Sequence, residues 1–491
     1  MKTTLPVLLF ALATLPGAAS AASTGSPNII VILADDFGWG SLGCYGAAGL
    51  RTPHLDRLAR EGRRFTHAYA PGSVCSPTRY GLMTGRYYWR TSVKDGQVLN
   101  GNAPLHIETT RTTLASLCRG RGYATAAFGK WHLGLGAQER IMDWSVALKP
   151  GPRDLGFDYF FGLAANPWNG PHYYLENEGV LGRLPGHKVE LSGQRETATS
   201  TGLKELWQEA DIMTTLTGKV TGWIERNRAK PFFVYYAPNA IHEPVVPHAR
   251  YSGSSYGKYG DFIHELDASV GEILATLDRW QLADRTLVLF TSDNGGVVNR
   301  GNPNASRALD AGLAINGPLR GGKHTEWEGG FREPFLVRWP GRVPAGTVSE
   351  QVVGLTDVLA TLAGILQVPL APGNAEDSLD VLRAFTESSP GTPVRDHVIL
   401  QSADGTYTYR AGDWKLIERV GAPTIAPRNA KKAAQAAKKA KSGPQRDELY
   451  NLREDPSETN DVAAAHPEIV VRLKAALTAA RDRGHTRPDA K

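Results

Sequence analysis

The chain is poor in cysteine: three in 491 residues, at Cys44, Cys75 and Cys118. So low a number excludes a disulfide-stapled scaffold. With Cys75 set aside for chemistry, Cys44 and Cys118 remain, and the sequence does not decide whether they pair. Long apolar runs are also absent. After residue 25 none approaches the ~20 residues that span a bilayer, which excludes stable membrane insertion there. No internal repeat is visible, so a repeat array is excluded.

The bulk composition is ordinary for a globular enzyme, 41% hydrophobic and 21% charged. The net charge is +6, and part of the excess sits in a Lys/Ala-rich stretch at about 428–443. That stretch reads as a solvated, flexible or helical insertion. A basic balance suits an anionic substrate, but it does not by itself call for nucleic acid, and no nucleic-acid partner is expected.

The amino terminus differs from the rest. Met1-Lys2 precedes an apolar stretch from Leu5 to Leu15 and then Ala19-Ser20-Ala21. A basic start, a short apolar core and a small-residue site predict a cleaved signal peptide at 1–21. The protein is therefore expected to be secreted or periplasmic.

Apolar runs and amphipathic segments then alternate. Strands are predicted at 28–34, 123–128, 231–237 and 286–291, with helices at 52–61, 113–119, 210–228 and 262–280. Such alternation predicts an α/β fold: a large, mainly parallel sheet sandwiched by helices. Ligands of open α/β sheets bind beyond the carboxyl ends of the strands. Asp35, Asp36, Lys130, His132, His242, Asp293 and Asn294 all follow predicted strand ends, so the fold would bring them together. The Ser388–Pro393 stretch reads as a linker. After it, short strands at 396–401, 406–410 and 448–452, a hairpin turn at 412–415 and a helix at 467–483 predict a smaller α+β domain with an antiparallel sheet. The expected organisation is a catalytic domain at 22–385 and a C-terminal subdomain at 386–491.

The chemistry centres on Cys75-Ser76-Pro77-Thr78-Arg79. A lone reactive cysteine ordinarily means a thiolate nucleophile with a nearby base. The residues that follow, Leu82-Met83-Thr84-Gly85-Arg86, point elsewhere. Separately, Asp35-Asp36 and Asp293-Asn294 offer three carboxylates and an amide oxygen. That hard set suits Ca²⁺ or Mg²⁺ rather than zinc. Each pair taken singly also fits a turn or a helix cap.

Together these blocks resemble the type I (formylglycine-dependent) sulfatases, of the arylsulfatase and N-acetylgalactosamine-6-sulfatase kind. The resemblance runs through Asp35-Asp36, the Cys75–Arg79 signature, Gly129–Gly134, Ser292–Gly295, Gly322-Lys323 and Glu328–Pro334, then Gly412–Lys415 and Glu448–Leu452 with Asp455-Pro456. Thr78 stands where serine is the commoner residue. The resemblance implies an alkaline-phosphatase-like fold and conversion of Cys75 to formylglycine by a sulfatase-maturing enzyme. Asp35, Asp36, Asp293, Asn294 and the modified Cys75 would hold Ca²⁺, with Mg²⁺ as the variant. Arg79 would hold the formylglycine hydrate, Lys130 and Lys323 the sulfate oxygens. His132 would orient or deprotonate the hydrate, and His242 would protonate the leaving alcohol, with Lys323 as its helper. One hydrate oxygen would attack sulfur to give a sulfated enzyme; the other would expel sulfate. Asn166 sits where some members place a serine near the sulfate, and Trp168 and His172 are the other candidate substrate contacts.

His324, Glu328 and Arg332 read as supporting or structural residues, and Tyr87, Tyr88 and Trp89 as packing residues. The loops at 93–106, 166–182 and 297–317 are expected to set specificity. The expected function is hydrolysis of a sulfate ester on a carbohydrate, such as a glycosaminoglycan. The alternatives are a broad arylsulfatase, a phosphatase or phosphonate monoester hydrolase on the same fold, and an unmodified, non-catalytic anion-binding protein. Oligomeric state is not legible.

Overall fold

The first strand, β1 (Asn28–Ala34), shows why an unbroken apolar run was needed. Ile29, Val31 and Leu33 pack into the core on one side of the sheet, and Ile30, Ile32 and Ala34 into the core on the other. A strand buried on both faces cannot alternate with polar residues. Each such Ile or Leu side chain contributes about 1.5–3 kcal/mol on burial.

The computed structural model describes residues 25–137, 143–167, 173–184, 186–192, 199–201, 207–419 and 446–488. The predicted signal peptide at 1–21, Trp168, His172 and the Lys/Ala-rich stretch at 428–443 lie outside the described residues.

The remaining principal strands are β2 (Arg63–Tyr69), β3 (Ala124–Lys130), β4 (Tyr159–Leu163), β5 (Phe232–Ala237), β6 (Thr286–Ser292) and β7 (Arg332–Arg338). They lie in one eleven-stranded sheet in the spatial order β2-β7-β6-β1-β5-β3-β4, with short strands at both edges. From β6 through β4 all neighbours are parallel, while β7 runs antiparallel to both β6 and β2. The sheet is therefore mixed and mainly parallel, as expected, with β7 as the reversed strand.

Helices cover both faces. Pro53–Glu61, Ile212–Asn227 and Gly257–Arg279 bury Leu55, Leu216 and Leu266 on one side. Cys75–Thr84, Leu114–Arg119 and Val358–Leu366 bury Leu82, Leu117 and Leu362 on the other. No helix among the described residues is long and apolar enough to cross a membrane.

Several boundaries differ from the sequence expectation. The helix expected at 262–280 begins five residues earlier, at Gly257, because Tyr259 and Phe262 extend its apolar face inward. The strand expected at 123–128 continues to Lys130, whose neighbour in β4 is Leu163. The cysteines are unpaired. Cys118 lies in one core and Cys44 packs against the other, so the sheet itself separates them.

A separate four-stranded antiparallel sheet is formed by His397–Gln401, Tyr407–Ala411, Trp414–Glu418 and Glu448–Asn451. The turn expected at 412–415 is shorter, since Trp414 and Lys415 already belong to a strand. The Pro467–Asp482 helix packs Leu473 and Leu477 on this sheet. Tyr87 and Trp89 enter the same apolar cluster from the larger unit, the packing role expected of them.

Candidate active site

The parallel register puts the two acidic pairs side by side. Ala34 of β1 is opposite Ser292 of β6, so Asp35-Asp36 and Asp293-Asn294 emerge together at the carboxyl edge. Asp36 has a left-handed backbone (φ 58°), and its amide donates to Asp293 Oδ1 at 3.2 Å. Gly295 has no alternative here: a β-carbon would lie 1.7 Å from the Gly329 carbonyl oxygen.

Cys75 opens the Cys75–Thr84 helix. Four residues on, Arg79 occupies the same helix face, the physical sense of the Cys-x-Pro-x-Arg spacing. Pro77 falls in the first turn, where a missing N–H costs nothing. Thr78 Oγ1 donates to the Gly72 carbonyl at 3.0 Å and accepts from the Gly72 amide at 3.3 Å. Either hydroxyl residue can close that loop, so threonine in place of serine is structurally neutral.

The charged groups converge on the sulfur. Lys130 Nζ lies 3.2 Å from Cys75 Sγ and 2.7 Å from Asp35 Oδ2. Lys323 Nζ lies 3.8 Å from Sγ and 2.7 Å from Asp36 Oδ1. Arg79 donates through Nε and Nη2 to Asp293 Oδ2 at 3.0 and 2.8 Å, and through Nη1 to the Lys130 carbonyl at 2.9 Å. All of these side chains are buried or nearly so.

Burial alone would raise Asp35 and Asp36, but their cationic neighbours outweigh it. Lys130, His242 and Arg79 hold Asp35 below the ordinary range, and Lys323 and His242 do the same for Asp36. Lys323 is correspondingly held protonated: burial opposes its charge, but the carboxylates of Asp36 and Asp35 prevail. The Cys75 thiol is pushed up to about 12, first by burial and then by Asp293. It is a neutral thiol at physiological pH, the opposite of an activated nucleophile.

Two histidines complete the centre. His132 (φ 55°) donates from Nε2 to the Leu99 carbonyl at 2.9 Å, since a carbonyl can only accept. Its Nδ1 is then the bare nitrogen, buried and without a hydrogen-bond partner among the described residues. Ser76 braces this arrangement, donating to the His132 carbonyl and accepting from the Leu99 amide, both at 3.0 Å. His242 donates from Nδ1 to the Glu243 carbonyl at 2.6 Å and turns Nε2 toward Asp36 Oδ2 at 3.8 Å. Burial first, then Lys323, lowers it to about 4, so it too is neutral near pH 7.

The fit to a cation can be judged from the donors. Ligand atoms of Asp35, Asp36, Cys75 and His242 lie within 4.8 Å of one another. Asn294 Nδ2 donates to Asp36 Oδ1 at 2.8 Å, while its buried Oδ1 has no partner among the described residues. An orphaned buried amide oxygen beside three acidic side chains matches a hard, oxygen-liganded cation. All three carboxylates of the expected set are engaged by cations, Asp35 by Lys130, Asp36 by Lys323 and Asp293 by Arg79.

Asn166 lies just beyond β4, near the turn that carries His132; the Ala164 carbonyl accepts from the His132 amide at 2.9 Å. Asn166 is buried, and its Oδ1 lacks a partner among the described residues. Sequence reasoning did not anticipate Glu333, a fully buried carboxyl on β7 held well above its usual range by burial, then by Asp293 and Asp36. Nor did it foresee that Lys415 of the C-terminal sheet would reach Glu328 at 3.0 Å and Glu458 at 2.6 Å. The available signal was that Glu328, Glu333 and Lys415 all lie within blocks that carry the family resemblance, Glu328–Pro334 and Gly412–Lys415.

Comparisons with known proteins identify the family. The family model described as Sulfatase matches residues 27–368. The chain is 36% identical to an N-acetylgalactosamine-6-O-sulfatase of Bacteroides thetaiotaomicron, with 93% of each chain covered. It is 32% identical to human arylsulfatase A, covering 93% of this chain and 88% of that one. A solved 6S-sulfatase structure, described with glycosaminoglycan metabolism by Bacteroides thetaiotaomicron, superposes with a TM-score of 0.85 at 35% identity, covering 93% of this chain and 99% of that one. This chain belongs to the sulfatase family and is a sulfuric ester hydrolase of alkaline-phosphatase-like fold.

Proposed function

We propose that the protein removes sulfate from a sulfated carbohydrate, with N-acetylgalactosamine 6-sulfate as the first substrate class to test, and that it works with formylglycine at position 75. The similarity to N-acetylgalactosamine-6-sulfatases supports the sugar. The observation that carries the chemistry is Cys75 itself. A thiol pushed up to about 12 is useless as a thiolate, yet residue 75 is met by two lysines, the setting a nucleophile on a sulfate ester needs.

Formylglycine at this position would supply a hydrated aldehyde as nucleophile, and a divalent cation, Ca²⁺ or Mg²⁺, would supply Lewis acidity. Asp35, Asp36, Asp293 and Asn294 would hold that cation. Arg79 fixes the base of the site through Asp293. Lys130 and Lys323 flank residue 75 from two sides, so a sulfate there meets two preorganised ammonium groups. His132, held well below the ordinary histidine range by burial and then by Lys130 and Arg79, keeps a bare Nδ1 that would accept a hydrogen bond from the hydrate and so orient it. His242 turns Nε2 toward Asp36 and would protonate the leaving oxygen, with Lys323, held protonated, as its helper. Asn166 would add a hydrogen bond to the ester, and Trp168 and His172 would line the sugar site.

The amino-terminal segment supports export to the periplasm or medium, with modification by a sulfatase-maturing enzyme as the one required protein partner. The organisation at 22–385 and 386–491 is proposed as catalytic domain and subdomain. The test is sulfate release from a panel of defined sulfated saccharides, after mass spectrometry shows formylglycine at position 75. Release from 6-sulfated N-acetylgalactosamine is expected; activity confined to small aryl sulfates or to phosphate esters would overturn the proposal.

A further inference from the structure

Among the described residues, eight non-glycine positions have left-handed backbones. Asp36 and His132 are two of them, and both direct side chains into the active centre. His324 is a third, with the largest φ of the eight, 78°. A β-carbon is disfavoured in this region, which glycine enters freely.

The local chain explains the angle. Gly322 to Thr325 form a tight turn closed by the Thr325 amide on the Gly322 carbonyl at 3.0 Å. Thr325 Oγ1 reinforces it, donating to the same carbonyl at 2.7 Å and accepting from the Gly322 amide at 3.0 Å. His324 is the third residue of this turn, the position that takes glycine in a type II turn. Glycine would satisfy the geometry without strain, yet this chain places an imidazole there. Residues held in disfavoured backbone regions cluster at functional sites.

The turn is pinned to the active centre at two points. The Lys323 amide donates to the Gly296 carbonyl at 3.1 Å, and the His324 amide to the Ser73 carbonyl at 2.9 Å. Ser73 lies two residues before Cys75, and Lys323 Nζ reaches toward Sγ. His324 is exposed, so burial in a core does not account for it. It stands on the rim, one residue from a lysine that faces the sulfate position. What lies beside a sulfate bound there is the group that carries it.

We propose that His324 is a specificity residue whose imidazole hydrogen-bonds an oxygen of the sugar bearing the sulfate. This rests on the saccharide reading above and assigns His324 a direct contact, where sequence alone placed it among supporting residues. Its exposure sets it apart from His132 and His242, which are enclosed and serve the reacting atoms.

The test uses the full, modified protein and its native activity on a 6-sulfated N-acetylgalactosamine saccharide, with inorganic sulfate as competitive inhibitor. His324→Gly relaxes the turn and removes the imidazole. KM for the saccharide is expected to rise about tenfold, with kcat and the inhibition constant of inorganic sulfate changed less than about twofold. His324→Asn tolerates the left-handed backbone and keeps a donor, so its KM should fall between the two. An unchanged KM in His324→Gly overturns the proposal. A parallel rise in KM and in the sulfate inhibition constant also overturns it, because it shows a turn that merely shapes the anion site. A native protein that desulfates no saccharide overturns both this proposal and the reading beneath it, and is seen before any substitution is made.

Discussion

Arg79 places two nitrogens on one oxygen of Asp293, at 3.0 and 2.8 Å, with both side chains fully buried. This pair fastens the helix that begins with Cys75 to the end of β6. Asp293→Asn leaves Arg79 as a buried cation with only Asp35, 3.6 Å away, to offset it. Breaking a buried pair from one side costs about 3–5 kcal/mol, and the lower end is expected here because Asp35 remains. Chemical denaturation would show the loss, and sulfatase activity should fall more than about a hundredfold with it.

Cys75→Ala separates chemistry from folding. The side chain is small and a thiol is a weak hydrogen-bond acceptor for Lys130 and Lys323, so truncation should cost only about 1 kcal/mol. The melting temperature should therefore move by a few degrees while sulfate release vanishes. A variant that keeps measurable turnover would show that residue 75 is not the centre of the reaction.

The oxygen-rich donor set predicts dependence on a hard cation. Treatment with a chelator should abolish activity, and Ca²⁺ or Mg²⁺ should restore it better than Zn²⁺. The cation should also raise the melting temperature, since saturation at a hundred times Kd adds about 2.7 kcal/mol. Asp36→Asn should lose both effects. Calorimetric titration of the chelated protein reads the binding independently of turnover.

Stability should depend on pH through a residue far from the active centre. His397 on the C-terminal sheet stacks on Tyr409, and its Nε2 has no partner among the described residues. Burial first, then Arg395 and Arg483, lowers it to about 4. A depressed histidine favours the neutral form in the fold. Its contribution is fully present above the unfolded value near 6.5 and is lost as pH falls through about 4. The difference is on the order of 3 kcal/mol. His397→Phe should flatten the stability profile between those limits, measured by denaturant unfolding at several pH values.

Much of this was legible in the sequence, for physical reasons. β1, β5 and β6 are buried on both faces and so read as unbroken apolar runs. The acidic and amide residues at their ends could then be placed together. β2 was missed because Arg63, Arg64 and His67 break its pattern; Arg63 is buried by bonding to the Ala384 and Glu387 carbonyls and to Thr347 Oγ1. The Cys75–Thr84 helix was missed for the opposite reason. It is buried all round and holds Pro77 and Gly81, so it lacks an amphipathic period. The bonds of Lys415 to Glu328 and Glu458 join segments far apart in the chain, a relationship that no local pattern encodes.

The measurement that bears most directly on the central claim is the rate of saccharide desulfation against the fraction of position 75 converted to formylglycine. Preparations made with graded amounts of a maturing enzyme supply the series, and peptide mass spectrometry supplies the fraction. The account predicts a straight line through the origin, with no turnover from the thiol form. A rate that stays constant as the fraction changes would contradict it.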